Sequence, residues 1–344
     1  MATSLLRTRG NGLRISLGVV ALTCATVSLA AFAQTTPVAL KLVSTPWPPF
    51  TNVAGQPRFA LDLVEAAFGR IGVKANTTIV SPGEFTTSLL APTFDGSAAA
   101  WKDAGRERAL IFSQAYLENR LVLVGQRGAD VSATRMTDLA GKRIAIVEGY
   151  SYGEWVENAG PVFVKSSSEE DSLSRLLKGT VDYTLMDDLV VEYIVSNYPK
   201  EAGTRLQIGK SALVTRPLYL AIRRTRPDAE SIVSQFNAQL PRMIADGTYH
   251  RLLHVDWIRA DINGDGVTEY VPRPGGARSL EPKRAYELFS AQAPTSTTPA
   301  KTGFYVGGSI YADWAAVPDR YKDMGSADRP DPRRSTASLF KFTW

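Results

Sequence analysis

The chain has 344 residues, 44% of them hydrophobic, with 27 Gly and 20 Pro. That is enough apolar sequence for one large or two ordinary domains, and it excludes a wholly disordered chain. The net charge is +5, but residues 34–258 balance 24 basic against 24 acidic side chains, which gives a nucleic-acid partner no electrostatic support.

The N-terminus carries the first clear signal. Arg7, Arg9 and Arg14 form a basic stretch without acids, and residues 15–33 are uncharged and mostly apolar. The run ends in Ala31-Phe32-Ala33, a small-x-small pattern followed by Gln34. This predicts a secretory signal peptide, residues 1–33, cleaved after Ala33. The run is also long enough to span a membrane, but its Ala, Ser and Thr content and the cleavage pattern favour the signal peptide. Cys24 is the only cysteine, and Ala21-Leu22-Thr23 before it is a poor lipobox. The mature chain then has no disulfide and no thiol chemistry, and a net charge of +2.

Strands alternate with helices from there on. Residues 38–44 read as a strand and 59–71 as a helix, with Leu61, Val64, Ala67, Phe68 and Ile71 at helical spacing. A short strand follows at 77–80, a helix at 84–90, and a buried strand at 121–125. The pattern restarts with a strand at 143–147 and a helix opened by Ser151. A helix at 168–177, a strand at 181–186, a helix at 189–198 and a strand at 218–222 come next. Residues 228–253 read as a long helical stretch broken at Asp246-Gly247. Two runs of alternating elements predict two α/β lobes, each with a mostly parallel sheet. Beyond Trp257 the composition shifts, and residues 259–344 hold eight prolines. Residues 291–301 read as a linker and 303–316 as a short ordered piece. The closing Phe340-Lys341-Phe342-Thr343-Trp344 alternates like an edge strand.

Several ordered segments carry a family resemblance. They are Ser44-Thr45-Pro46-Trp47-Pro48-Pro49-Phe50, Phe59-Ala60-Leu61-Asp62-Leu63, and Arg106-Glu107-Arg108 running into Phe112-Ser113-Gln114-Ala115-Tyr116. Further along come Leu139-Ala140-Gly141-Lys142, Ile146-Val147-Glu148-Gly149, Gly179-Thr180-Val181-Asp182-Tyr183 and Ala245-Asp246-Gly247-Thr248-Tyr249. In order and spacing, residues 38–258 resemble bacterial solute-binding protein family 3, the polar-amino-acid binders of ABC transporters. The resemblance implies the type II periplasmic binding protein fold, two lobes joined by a two-strand hinge. Lobe 1 would comprise 38–122 and 215–258, and lobe 2 would comprise 123–214. The crossovers fall near 118–126 and 210–218. It also implies a small amino acid or carboxylate as ligand, a membrane permease as partner, and closure by hinge motion.

The resemblance places site residues one by one. Arg106 matches the arginine that holds the ligand α-carboxylate, a task suited to a rigid bidentate fork, and Asp103 is spaced to cap its helix. Asp187 matches the aspartate that pairs with the ligand ammonium, with Asp188 as its rival or as a helix cap. Tyr150 and Ser151 lie where free backbone N–H groups and a hydroxyl meet a carboxylate, though Ser151 could simply cap a helix. Trp47 matches an aromatic that stacks on the ligand. Ala99 and Trp101 depart from a stretch usually rich in Ser and Thr, which favours an aromatic or apolar ligand wall, and core packing rivals that role. Ala60 replaces a usual aspartate, which argues against a strongly basic ligand.

A second motif follows the matched region. Asp261, Asn263, Asp265 and Glu269 bring oxygens to loop positions 1, 3, 5 and 9, with Gly266 at 6 and the Val267 carbonyl at 7. This predicts a structural Ca2+ in segment 259–274. Pro272 at position 12 rules out an EF-hand, and the loop resembles the shorter calcium loops of FG-GAP or dockerin type. No catalytic set stands out. His250 and His254 lack the Glu of a His-Glu-x-x-His motif and read as surface helix residues. A relative of the cyclohexadienyl dehydratases remains an alternative, with Glu148 or Asp187 as its acid. A non-transport sensor or accessory protein is another, with the Pro-rich extension 275–344 as its contact region.

Overall fold

In a computed structural model, the described residues are 39–274, 279, 281–282, 285–288 and 302–322. The predicted signal peptide, the linker at 291–301 and the closing aromatic run lie outside them.

The first half alternates strands and helices: β1 (Ala39–Ser44), α1 (Phe59–Gly69), β2 (Lys74–Ile79), α2 (Pro82–Leu90), β3 (Gly96–Trp101), α3 (Ala104–Glu107) and β4 (Leu110–Phe112). A long strand β5 (Leu117–Gln126) leaves it. The second half comprises β6 (Arg143–Val147), α4 (Glu154–Glu157), β7 (Val162–Ser166), α5 (Glu169–Leu177), β8 (Tyr183–Asp187), α6 (Asp188–Asn197) and α7 (Pro199–Arg205). Strand β9 (Leu206–Arg223) then returns to the first half, which is completed by α8 (Ala229–Asn237), α9 (Leu240–Ala245) and α10 (Thr248–Leu253).

The nine strands form one sheet in the order β2-β1-β3-β9-β5-β8-β6-β7, with β4 also on β9. Strands β2, β1 and β3 are parallel on one side, and β8, β6 and β7 are parallel on the other. The antiparallel pair β5–β9 lies between them, from Leu117 opposite Leu218 to Gln126 opposite Leu206. These are the two predicted crossovers, longer than their apolar runs indicated. The fold is the two-lobed α/β arrangement joined by a two-strand hinge.

Local chemistry explains the elements. Helix α1 buries Leu61, Leu63, Val64, Ala67 and Phe68 against the sheet. Ser168 caps α5 by accepting the Asp171 N–H at 3.2 Å. Glu169, Glu170 and Asp171 place acids in its first turn, where the helix dipole favours them. Strand β3 escaped the sequence reading because Gly-Ser-Ala-Ala-Ala-Trp has weak strand propensity. It is a strand because it is sandwiched between β1 and β9. Gly96 is required there: a Cβ would lie 1.9 Å from the Ala221 carbonyl oxygen. The stretch at 228–253 is three helices. The predicted break at Asp246-Gly247 holds, with Gly247 at φ of 75°, and a further, unpredicted one falls at Gln239, two residues before Pro241.

The C-terminal region adds a five-stranded sheet, β12-β10-β11-β13-β14. Its strands are β10 (Trp257–Ala260), β11 (Glu269–Pro272), β12 (Tyr286–Glu287), β13 (Phe304–Val306) and β14 (Ser309–Tyr311). Gly307 and Gly308, both at positive φ, turn β13 into β14 as a two-residue hairpin requires. Trp257, Phe304, Val306 and Val317 form a separate small core under this sheet. His250 corrects the sequence reading. It is 0% exposed, and its Nε2 lies 3.0 Å from the Val271 carbonyl. The expected surface histidine is instead an anchor for β11. Among the described residues no helix is long and apolar enough to cross a membrane.

Candidate ligand-binding site

The carboxyl ends of β1, β3, β6 and β8 meet along the seam between the halves, the position where open α/β sheets bind ligands. The loop after β1 presents Trp47. Its N–H donates to the Thr51 carbonyl at 2.8 Å, and its own carbonyl accepts from Phe50 and Thr51. Trp47 stacks on Phe50 with centroids 4.7 Å apart, and meets Trp101 edge-on at 5.5 Å and Tyr150 at 5.7 Å. Trp101 also meets Tyr150 at 5.7 Å and Tyr152 at 5.4 Å. Trp47 and Trp101 come from the first half, Tyr150 and Tyr152 from the second. Each such pair adds about 0.5–1.5 kcal/mol beyond its buried area.

Arg106 lies on the first-half side of the seam. Asp103 caps α3 by accepting the Arg106 N–H at 2.8 Å, as the spacing predicts. The guanidinium donates to the Trp101 carbonyl and, across the seam, to the Gly149 carbonyl, both at 3.0 Å. Asp103 also pairs with Arg106 Nε at 3.5 Å and accepts the Ser151 hydroxyl at 2.6 Å. Burial pushes the Asp103 carboxyl up, but the bonds from Ser151 and Arg106 outweigh it and hold it below the usual range. Arg216, on β9, donates to the Lys102 carbonyl at 2.8 Å and sits 5.8 Å from the Trp101 ring centroid. The Thr45 and Tyr150 hydroxyls, 3.3 Å apart, make one more link across the seam.

Three expectations need correction. Ser151 does not open a helix: α4 starts at Glu154, with Gly153 at the cap position. Asp188 is not the cap of α6. That position is Asp187, which accepts the Leu189 N–H at 2.8 Å. Nor does Asp187 point a free carboxylate at the seam. It is 1% exposed, and its other oxygen accepts Asn119 Nδ2 at 3.1 Å and the Arg120 N–H at 3.0 Å. Burial and then Asp188 push its carboxyl well above the usual range, against the pull of those donors. Asn119 in turn accepts the Trp101 indole N–H at 2.8 Å, so Trp101 is wall and core at once. Ala99 is buried on β3, and its backbone bonds Ser97 Oγ. Glu148 is exposed and 3.8 Å from Lys165.

Glu169 is a residue the sequence reading passed over. It is 5% exposed, and its Oε2 has no hydrogen-bond partner; the buried Trp47 Nε1 has none either. The indole nevertheless faces the carboxyl closely enough to favour its ionised form. Burial, and then Glu170, outweigh this and push the carboxyl up to about 8. In the sequence it is one of three acids in a helix's first turn, and nothing there marks it as special.

The predicted calcium residues cluster in the loop between β10 and β11. The Asp261 carboxylate accepts the Gly264 N–H at 2.6 Å and the Gly266 N–H at 2.9 Å. Asp265 accepts the Val267 N–H at 2.7 Å and Asn263 Nδ2 at 2.9 Å. Glu269 accepts the Ile262 N–H at 3.3 Å. Among the described residues no group of three or more His, Cys, Asp or Glu is arranged to hold a metal ion. The loop closes through its own amides.

Two lobes, a paired-strand hinge and a seam lined by arginine and aromatic residues define a solute-binding protein. Residues 40–259 match the model of "Bacterial extracellular solute-binding proteins, family 3", and the chain belongs to that family. It is 25% identical over 220 residues to the ABC transporter arginine-binding protein 1 of Escherichia coli K12, covering 61% of this chain and 86% of that protein. Among solved structures, an ancestral arginine-binding protein bound to arginine matches with a TM-score of 0.53 and 23% identity, over 63% of this chain and 96% of that one. The GluR0 ligand-binding core from Nostoc punctiforme with L-glutamate matches with a TM-score of 0.51 and 20% identity, over 62% and 96%.

Proposed function

We propose that this chain is a periplasmic amino-acid-binding protein of an ABC transporter. Residues 1–33 direct export, and the two lobes close on a small amino acid or related carboxylate and deliver it to a membrane permease. Arg106 holds the carboxylate, with the Tyr150 and Ser151 segment facing it from the other lobe and Trp47 and Trp101 as walls. One observation carries the reading: a largely buried guanidinium, oriented by Asp103, reaches from one lobe to the other beside an aromatic wall. The Gly149 carbonyl it meets here stands where a ligand carboxylate would compete for the same donors. The relatives named for arginine and glutamate support an amino acid as the ligand class.

Arg106→Ala is expected to weaken amino-acid binding by roughly a hundredfold or more, and Arg106→Lys to restore little of it, since lysine cannot form the planar fork. Isothermal titration against the twenty amino acids checks this. Unchanged affinity in Arg106→Ala overturns the assignment.

We also propose that Ca2+ braces the loop at Asp261, Asn263, Asp265, Val267 and Glu269. The support is the order of oxygen donors along the chain. Calcium has to draw these carboxylates away from the loop's own N–H groups, so the affinity is expected to be modest. Millimolar calcium is expected to raise the melting temperature of the wild type and not of Asp265→Asn. Equal shifts in both discard the site.

A further inference from the structure

The seam is electrically lopsided. At one end Arg106 and Arg216 place two guanidiniums around Trp101 and Asp103. At the other end Glu169 places a single carboxyl beside Trp47. The mutually contacting rings of Trp47, Trp101 and Tyr150 connect the two sides. The acid is enclosed and yet incompletely bonded. Its Oε2 and the Trp47 Nε1 are both buried without a hydrogen bond of full geometry, although the indole faces the carboxyl. Buried polar atoms in a native fold are nearly always satisfied, so each exception calls for an explanation. Among the described residues no arginine, lysine or histidine pairs with Glu169; its charged neighbour is Glu170, which repels it.

We infer that Glu169 is the specificity residue of the site: with the faces of Trp47 and Tyr150 it receives a cationic group at the far end of a ligand whose carboxylate lies at Arg106. The inference rests on the amino-acid-binding reading and narrows it to basic amino acids. The chemistry fits on three counts. A guanidinium or ammonium offers several N–H donors to the unsatisfied oxygen. The π-faces attract a cation that has lost its water. The charge pair, buried as the lobes close, discriminates strongly against neutral isosteres, because they would leave the acid unpaired. The absence of an acid at Ala60 pointed away from basic ligands; Glu169 supplies the negative charge from the opposite lobe.

Proton linkage supplies an independent readout. Burial, and then Glu170, keep a proton on this carboxyl near neutral pH. A ligand cation ionises it, so binding releases a proton.

The test is isothermal titration near pH 7, in two buffers of different ionisation enthalpy, on the wild type and Glu169→Gln. The probes are L-arginine, L-lysine, L-citrulline, L-glutamine and agmatine. The wild type is expected to bind L-arginine or L-lysine roughly a hundredfold more tightly than L-citrulline and L-glutamine, with proton release. In Glu169→Gln both the preference and the proton release are expected to vanish. Preference for the neutral probes, a cation preference that survives in Glu169→Gln, or cation binding without proton release in the wild type overturns the inference. The last readout needs no variant and stands even if Glu169→Gln fails to fold. The two readings fail separately. Glu169-dependent binding of agmatine without any amino acid keeps Glu169 and removes the amino-acid reading. Binding of citrulline or glutamine with no response to any cation does the reverse, and no binding of any cationic probe also overturns the role of Glu169.

Discussion

Asp187→Ala is expected to lower stability by about 3–5 kcal/mol, a fall of roughly 10 °C in melting temperature. The reason is local and threefold. One carboxylate oxygen caps α6, and the other holds both the Asn119 side chain and the Arg120 amide of β5. Alanine leaves three buried or half-buried donors without acceptors, each costing about 1–3 kcal/mol. Asn119 also fixes the Trp101 indole, so the loss spreads to the aromatic wall. Asp187→Asn is expected to fall between the two, since its amide offers one acceptor oxygen where the carboxylate offers two. Thermal melts followed by circular dichroism decide the matter. A ligand-free alanine variant melting within about 2 °C of wild type would mean that the carboxylate is not a structural clamp.

The second expectation concerns Glu169 and pH, in protein without ligand. Its carboxyl is raised from 4.5 to about 8 by burial and by Glu170. Between those values the native state keeps a proton that the unfolded chain has lost. Stability therefore declines as pH rises from 4.5 to 8, and the decline ends once the native carboxyl has ionised too. The full gap corresponds to at most about 5 kcal/mol. The groups facing this carboxyl are Trp47, Tyr150, Tyr152 and Glu170. Burial holds both tyrosines above their ordinary value, so they stay neutral throughout this window. Glu169→Gln removes the titration at nearly constant shape. Urea unfolding from pH 5 to pH 9 is expected to show a flatter profile for the variant, which becomes the more stable protein at the alkaline end. Parallel profiles would mean that the carboxyl is not desolvated as described.

How much of this was legible in the sequence depended on which force placed each residue. Strand β6 and helix α1 were read closely because apolar periodicity sets them. Asp103 was read as a cap because the Asp-x-x-Arg spacing is local. Strand β3 was missed because its alanines fit a sheet only when two neighbouring strands enclose them. The C-terminal sheet was reduced to one short piece, since its strands are two to four residues long and, the β13–β14 hairpin aside, pair across longer connections. Of the predicted site residues, Trp47, Trp101, Arg106 and Tyr150 come together in the structure. Asp187 ends β8, but its carboxyl is taken up by Asn119, Arg120 and Leu189. Glu169 was invisible because its significance is a matter of burial and of missing partners, and sequence records neither.

The family match ends at residue 259, in the middle of β10, yet the chain beyond it is joined to the hinge. Tyr286, on β12, donates its hydroxyl to the Glu118 carbonyl at 2.9 Å and packs edge-on to Phe59. The start of β5 is thereby moored to the C-terminal sheet. The next weak point along β5 lies between Leu121 and Val124, where its register with β9 slips twice. A fragment cut to the family's length would lose the mooring along with the partners of β10 and His250.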